Sequence, residues 1–153
     1  MPLSTQLKVM VTLLDRRANS NEGGGGGGNP LMAGALTGKT PVAEFLIDKD
    51  ADVNCEGGKY GYALQAAAYR EDLPMMDMLI KKGANVNATA GEYMTALNAA
   101  MSKGAITTLK VAKILLEHGA DVNVRDKSDS TAVQNAARKG SGGIGSTVTK
   151  SQG

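Results

Sequence analysis

The chain has no tryptophan, one phenylalanine and only 3% aromatic residues, so its interior cannot be organised around large rings. A core must then come from Ala, Leu, Val, Ile and Met, the side chains that suit closely packed helices. A single cysteine, Cys55, excludes an intramolecular disulfide and a cysteine zinc cluster, and fits a reducing compartment. A single histidine, His118, means that no Ser/His/Asp or Cys/His arrangement of the usual kind can form without it. No apolar run approaches the ~20 residues that span a bilayer. The N-terminal LKVMVTLL is interrupted by Lys8 and lacks both a basic n-region and a small-residue cleavage site. These absences predict a soluble intracellular protein, placed in the cytoplasm with the nucleus as the alternative, and no membrane partner. A formal net charge of +2 is too small for a dedicated nucleic-acid binder. The length of 153 residues fits one domain with a modest core.

What the chain does have is a period. The tetrads ADVN (Ala51–Asn54), ANVN (Ala84–Asn87) and ADVN (Ala120–Asn123) are spaced by 33 and then 36 residues, and ANSN (Ala18–Asn21) is a weaker copy in the same frame. A fixed spacing of this size is the signature of a repeat architecture.

Two apolar stripes at i, i+3, i+4 spacing recur with the period and predict two short helices per repeat. The first stripe is Leu31/Gly34/Ala35, Leu64/Ala67/Ala68, Leu97/Ala100/Met101 and Val133/Ala136/Ala137, small enough for helices to approach closely. The second is Val42/Phe45/Leu46, Met75/Met78/Leu79 and Val111/Ile114/Leu115, with Val9/Thr12/Leu13 as a degraded copy. Thr95 and Thr131 are expected as N-caps, and Pro30 at a first helical position. Pro41 and Pro74 suit the start of the second helix. Gly83, Gly119, Asp50 and Arg17 occupy the place where a left-handed residue closes it. The three extra residues of the longer period fall within Ala105–Lys110, a turn between helices.

A unit of two short helices followed by G-A-D-V-N and a polar hairpin resembles the ankyrin repeat, most plainly in TALNAAMSKG…VAKILLEHGADVN, Thr95–Asn123. YALQAAAYRE…MMDMLIKKGANVN, Tyr62–Asn87, is a second copy, and TAVQNAARKG, Thr131–Gly140, opens another. The resemblance implies an all-α solenoid of ankyrin type, with stacked helix-turn-helix repeats joined by β-hairpin loops. The array is expected over residues 5–140, with a partial repeat at 5–21, repeats at 29–54, 62–87 and 95–123, and a partial repeat at 131–140. Residues 141–153 read as a Gly/Ser-rich tail. The GGKYGYALQAAAY variant is similar to the ankyrin arrays of large fungal multidomain proteins. One departure is consistent: the family's T-P-L-H opening is here NPLM, YALQ, TALN and TAVQ. No repeat retains the histidine that tethers neighbouring hairpins, so looser hairpins are expected. At the N-terminus the chain starts in a second helix, without the first helix that should cover Leu7, Val11 and Leu14.

AGALTGKT, Ala33–Thr40, comes within one residue of the phosphate-loop pattern, with Ala33 in place of its first glycine. The alternative it raises is a nucleotide-binding protein using Lys39 and Thr40, with Asp48 as metal carboxylate. That loop needs a hydrophobic strand immediately upstream, and here stand six glycines and Asn29. In the repeat register Gly38 aligns with Glu71, Gly104 and Gly140, which are ordinary turns. The glycine run, Gly23–Gly28, reads as a mobile hairpin tip. Cys55 reads as a loop residue, His118 as a helix-end residue, and the methionines mostly as core. No catalytic residue, cofactor or metal is expected.

The resemblance implies protein–protein recognition through a concave face lined by hairpin tips and the exposed ends of the first helices. By register the hairpins contribute Lys59 and Gly61, Glu92 and Met94, and Lys127 and Ser130. The helices contribute Leu36 and Thr37, Tyr69 and Arg70, Ser102 and Lys103, and Arg138 and Lys139. The basic members predict a partner protein with an acidic stretch, anchored at Tyr69, with Glu71 and Asp126 diluting the field. The chain is expected to be monomeric or part of a larger array. A solvated charged rim, or a purely structural fragment of such an array, is the competing reading.

Overall fold

The computed structural model describes residues 1–23 and 28–139. Among the described residues eight helices follow one another: α1 (Leu3–Asp15), α2 (Pro30–Thr37), α3 (Thr40–Asp48), α4 (Ala63–Arg70), α5 (Leu73–Lys81), α6 (Ala96–Met101), α7 (Thr108–Glu117) and α8 (Ala132–Arg138). The even-numbered helices form an inner layer, α2 on α4, α4 on α6 and α6 on α8. Each of α2, α4 and α6 also packs against the outer helix that follows it, and in the outer layer α1 meets α3 and α3 meets α5. The result is an all-α solenoid in which successive repeats pack on one another.

Local chemistry explains why the helices are short and start where they do. Asn29, Thr95 and Thr131 accept bonds from the backbone N–H groups of Met32, Asn98 and Gln134, so each opens an inner helix. Asp72 does the same for α5, a cap not foreseen from the sequence. At the other end the amides of Ala18, Ala51, Ala84 and Ala120 bond to the carbonyls of Leu13, Leu46, Leu79 and Leu115. The residue just before each alanine (Arg17, Asp50, Gly83 and Gly119) has a positive φ, which is the geometry of a closing left-handed turn. The 3-residue lengthening falls between α6 and α7, as the spacing predicts. There Thr107 and Thr108 both donate their hydroxyls to the Glu71 carboxylate of the preceding repeat.

The core runs from Leu31 to Ala136 through the inner layer and the inward faces of α5 and α7, with Met32, Met75, Met76, Leu79, Leu97 and Leu115 fully buried. Alanines at Ala66, Ala67, Ala99 and Ala100 have no exposed surface to speak of, which sets how closely the inner helices approach. A smaller cluster of Val42, Leu46 and Ala51 carries Leu7 and Met10 of α1 against it. No residue of α1 is fully buried.

The tetrads turn out to be a ladder. In each one the first polar residue folds back on the last: the backbone N–H groups of Asn21, Asn54, Asn87 and Asn123 donate to the side chains of Asn19, Asp52, Asn85 and Asp121. The final Asn then reaches forward one repeat. Asn54 accepts from the Asn85 amide at 2.8 Å and donates to the Gly83 carbonyl at 3.1 Å. Asn87 does the same with Asp121 at 2.7 Å and Gly119 at 2.9 Å, and Asn21 accepts from Asp52 at 2.7 Å. The period seen in the sequence is this hydrogen-bond spacing.

The hairpins need one correction. They are closed by isolated bridges, Gly57 with Gly61 and Ala90 with Met94, but they are not left untethered by the loss of the family's histidine. Gln65 stands in its place, buried, accepting from the Tyr62 amide and donating to the Ala88 and Met94 carbonyls of the next hairpin. Asn98 donates to the Val124 carbonyl at 3.0 Å; in the first repeat, where Met32 holds the histidine's place, the capping Asn29 donates to the Cys55 carbonyl at 3.0 Å instead. A primary amide offers a donor and an acceptor at the same reach as an imidazole, so the tether survives a change of residue type. The glycine run at 24–27 and the tail from residue 140, expected as a hairpin tip and a Gly/Ser-rich tail, lie outside the described residues.

Candidate partner-binding face

Tyr60 and Tyr93 hold the same place on successive hairpins, 33 residues apart, and Tyr69 projects from the last turn of α4 between them. Stacking the repeats brings all three rings together. Tyr60 and Tyr69 have centroids 5.0 Å apart, Tyr69 and Tyr93 5.3 Å, and Tyr60 and Tyr93 6.1 Å. These are attractive aromatic separations. The Lys103 ammonium lies 4.8 Å from the Tyr69 centroid and that of Lys59 5.8 Å from Tyr60, both within cation–π range. Desolvation, and then the neighbouring Tyr69, push the Tyr60 and Tyr93 hydroxyls above their usual pKa, so both stay neutral donors at physiological pH.

Beside this cluster an open cleft of about 550 Å³ is lined by Tyr69, Tyr93, Ser102, Lys127, Arg138 and Lys139, with Glu92, Asp126, Ser128 and Asn135 completing it. The Asp126 carboxylate is spoken for. It accepts from the Asn135 amide at 2.7 Å and from the Ser128 and Ser130 backbone at 2.8 and 3.0 Å. Burial alone would raise its pKa, but these bonds and the nearby Arg138 charge outweigh that and hold it below the ordinary carboxylate range. Its contribution to the hairpin is therefore complete above the unfolded carboxylate value near ~4 and is lost as pH falls through the lower folded value.

Of the residues named from the sequence, Tyr69, Glu92, Ser102, Lys127, Arg138 and Lys139 line the one cleft, and Lys103 sits over its Tyr69 wall. Lys59 and Glu92 are paired with each other at 3.2 Å across adjacent hairpins, and the Glu92 bond leads the causes that raise the Lys59 pKa. Arg138 donates to Ser130 Oγ at 2.7 Å, which gives it a part in closing the hairpin. Arg70 lies apart, its guanidinium close to Gly38 of the preceding repeat. Met94 is half-buried, with φ +68°, and its carbonyl is bonded to Ala90 and Gln65. Gly61 and Ser130 are buried, which leaves them no room for a partner. Leu36 packs against the core, and the Thr37 hydroxyl donates back to Ala33. Tyr60, Tyr93, Ser128 and Asn135 were missed. The tyrosine pair had a signal, since GKYG and GEYM place a ring at identical register.

The phosphate-loop match has a different structural meaning. Gly38, with φ +69°, ends α2, and Lys39 precedes α3. The amides of Gly38 and Lys39 bond to the carbonyls of Ala35 and Gly34, so the donors that would cradle a phosphate already close a helix. Asp48 pairs with Lys82 of the next repeat at 2.7 Å. Lys39→Ala is accordingly expected to leave both the thermal midpoint and the response to ATP unchanged in a dialysis experiment. Saturable micromolar ATP binding that the substitution abolishes would contradict this. His118 ends α7 with Nδ1 2.8 Å from the Ile114 carbonyl, and Cys55 is half-buried with Sγ 3.3 Å from the Asn21 carbonyl. Among the described residues no three His, Cys, Asp or Glu side chains gather as metal ligands, and no helix is long and apolar enough to cross a membrane.

The sequence model of ankyrin repeats in three copies matches residues 4–90 and again 63–147. The chain belongs to the ankyrin repeat family. No curated protein matches it in sequence.

Proposed function

We propose that the chain is a non-catalytic protein-recognition module that binds its partner through the tyrosine cluster and the adjoining basic cleft. The observation that carries this reading is the meeting of three tyrosines from two hairpins and one inner helix under the Lys103 ammonium. Half-exposed tyrosines are the residues that dominate interface energetics, because they bring large area at little conformational cost. Lys103, Lys127 and Lys139 are exposed and have no carboxylate partner within ion-pair distance among the described residues. The acids of the same face are occupied by Lys59 or by hairpin closure. An acidic segment of a partner protein fits this arrangement, with an apolar or aromatic group against Tyr69.

The experiment is a titration of the partner recovered by affinity capture. Lys103→Glu, Lys127→Glu and Lys139→Glu together are expected to weaken binding roughly tenfold or more, since each reversed pair at an exposed site is worth up to ~1 kcal/mol, while the melting temperature falls only slightly through loss of the Lys103–Tyr69 contact. Affinity of the native chain should fall with added salt, because exposed charges are screened within ~10 Å at 0.1 M. Salt-independent binding, unchanged in the folded triple variant, would place the interface elsewhere.

A further inference from the structure

The turn between α6 and α7 is where the array departs from its own period. Val111 stands seven residues after Gly104, whereas Val42 and Met75 stand four after Gly38 and Glu71. The added residues form a turn closed by the Thr108 amide on the Ala105 carbonyl at 3.1 Å, with Ile106 and Thr107 at its tip. Turn tips favour Gly, Pro, Asn, Asp and Ser, which bend the chain or hydrogen-bond to it. Ile106 does neither. It is 98% exposed, and among the described residues past Leu13 no other large apolar side chain is left exposed.

The turn is also held in place. Thr108 is buried, and its hydroxyl and that of Thr107 both donate to the Glu71 carboxylate of the preceding repeat. Glu71 directly follows α4, whose last turn carries Tyr69. Lys103, whose ammonium lies over the Tyr69 ring, is three residues before Ile106. Three residues of chain reach at most about 11 Å, so Ile106 borders the tyrosine–lysine face. Lys110, four residues further on, is exposed and, like Lys103, has no carboxylate within ion-pair distance among the described residues. Glu71 keeps its charge at the base of the turn, so the place for an incoming carboxylate is at Lys103, on the Tyr69 side.

Resting on the reading of that face as the recognition surface, we propose that Ile106 is its second apolar anchor. The partner segment is then apolar–acidic–apolar in order. One apolar or aromatic group lies on Tyr69, a carboxylate meets Lys103, and a second apolar group covers Ile106. Removing a large aliphatic side chain from water drives the last contact. Because the two threonines already fix the turn, little chain ordering has to be paid on binding.

The probe is a library of random peptides displayed on phage, selected in parallel against the full native chain, Ile106→Ser and Lys103→Glu. The melting temperature is the folding control, and Ile106→Thr replaces the serine variant if that fails to fold. Peptides selected on the native chain are expected to carry acidic residues between two apolar positions. Selection on Ile106→Ser should keep the acids and one apolar position and lose the other, whereas Lys103→Glu should lose the acids. A synthetic peptide of the native-selected sequence should bind Ile106→Ser roughly tenfold more weakly, the scale of one buried aliphatic side chain. Acidic peptides that bind the native chain and Ile106→Ser equally overturn the anchor and leave the recognition face standing. Selected peptides without acidic enrichment, or none above background, overturn the reading of the face and the anchor with it.

Discussion

Gln65→Ala is expected to lower the unfolding free energy by about 2–4 kcal/mol, although the side chain touches no partner. Gln65 is 1% exposed and makes three bonds to the main chain. Met94 carries a second bond to its carbonyl, from Ala90, and so is not orphaned by the change. The Tyr62 amide and the Ala88 carbonyl, both part-buried, are, and a polar group left unsatisfied costs up to about 1–3 kcal/mol. Against a total stability of about 5–15 kcal/mol for a domain of this size, that is a large loss. Urea unfolding should show it as a lower midpoint with an unchanged slope. Gln65→His, the residue that the family's opening motif places there, should recover most of it. A Gln65→Ala variant as stable as the native chain would show that the hairpins are held by something other than this tether.

Gly91→Ala is the second large effect. Gly91 has φ +70°, and a Cβ built there would stand 2.4 Å from the Tyr60 carbonyl carbon and 2.5 Å from its oxygen. Both obstacles are backbone of the neighbouring hairpin and cannot rotate away. Left-handed strain of ~1–2 kcal/mol adds to an overpacking cost of ~1–3 kcal/mol, so a loss of about 2–5 kcal/mol is expected. Gly83→Ala separates the two causes. Its φ is +93°, but nothing lies within 4 Å of the added methyl, so it should lose only the conformational part of about 1–2 kcal/mol. Equal losses at the two glycines, measured by thermal unfolding, would show that the close approach of hairpins does not matter. Since Gly91 sets the distance between the Tyr60 and Tyr93 hairpins, its replacement should also spread the aromatic cluster.

The fold was legible because ankyrin architecture writes its contacts at a fixed interval. The tetrad spacing, the small-residue stripe and the threonine caps each correspond to one recurrent physical task, and each task leaves the same residue type at the same place. Gln65 was harder to read, since an amide can do the work of the expected histidine without resembling it. The candidate face was only partly legible for a different reason. Tyr69, Ser102, Lys127, Arg138 and Lys139 share a register, but the cleft they line exists only once three repeats are stacked. The contacts of the acids were not legible either: Glu71 accepts from Thr107 and Thr108, and Asp126 from its own hairpin and Asn135, while both carboxylates keep their charge. A sequence gives the sign of a charge, whereas the partners that occupy it come from residues far along the chain.

The central claim is that recognition happens at the tyrosine–lysine face and not on the outer helices. Site-specific photo-crosslinking tests it most directly, with the crosslinker placed at Ser128 on the cleft wall and, in a second protein, at Lys113 on the exposed side of α7. The account predicts that the partner used for the titrations crosslinks from Ser128 and not from Lys113, with the yield from Ser128 falling as salt is added. Crosslinking from Lys113 with none from Ser128 would contradict it.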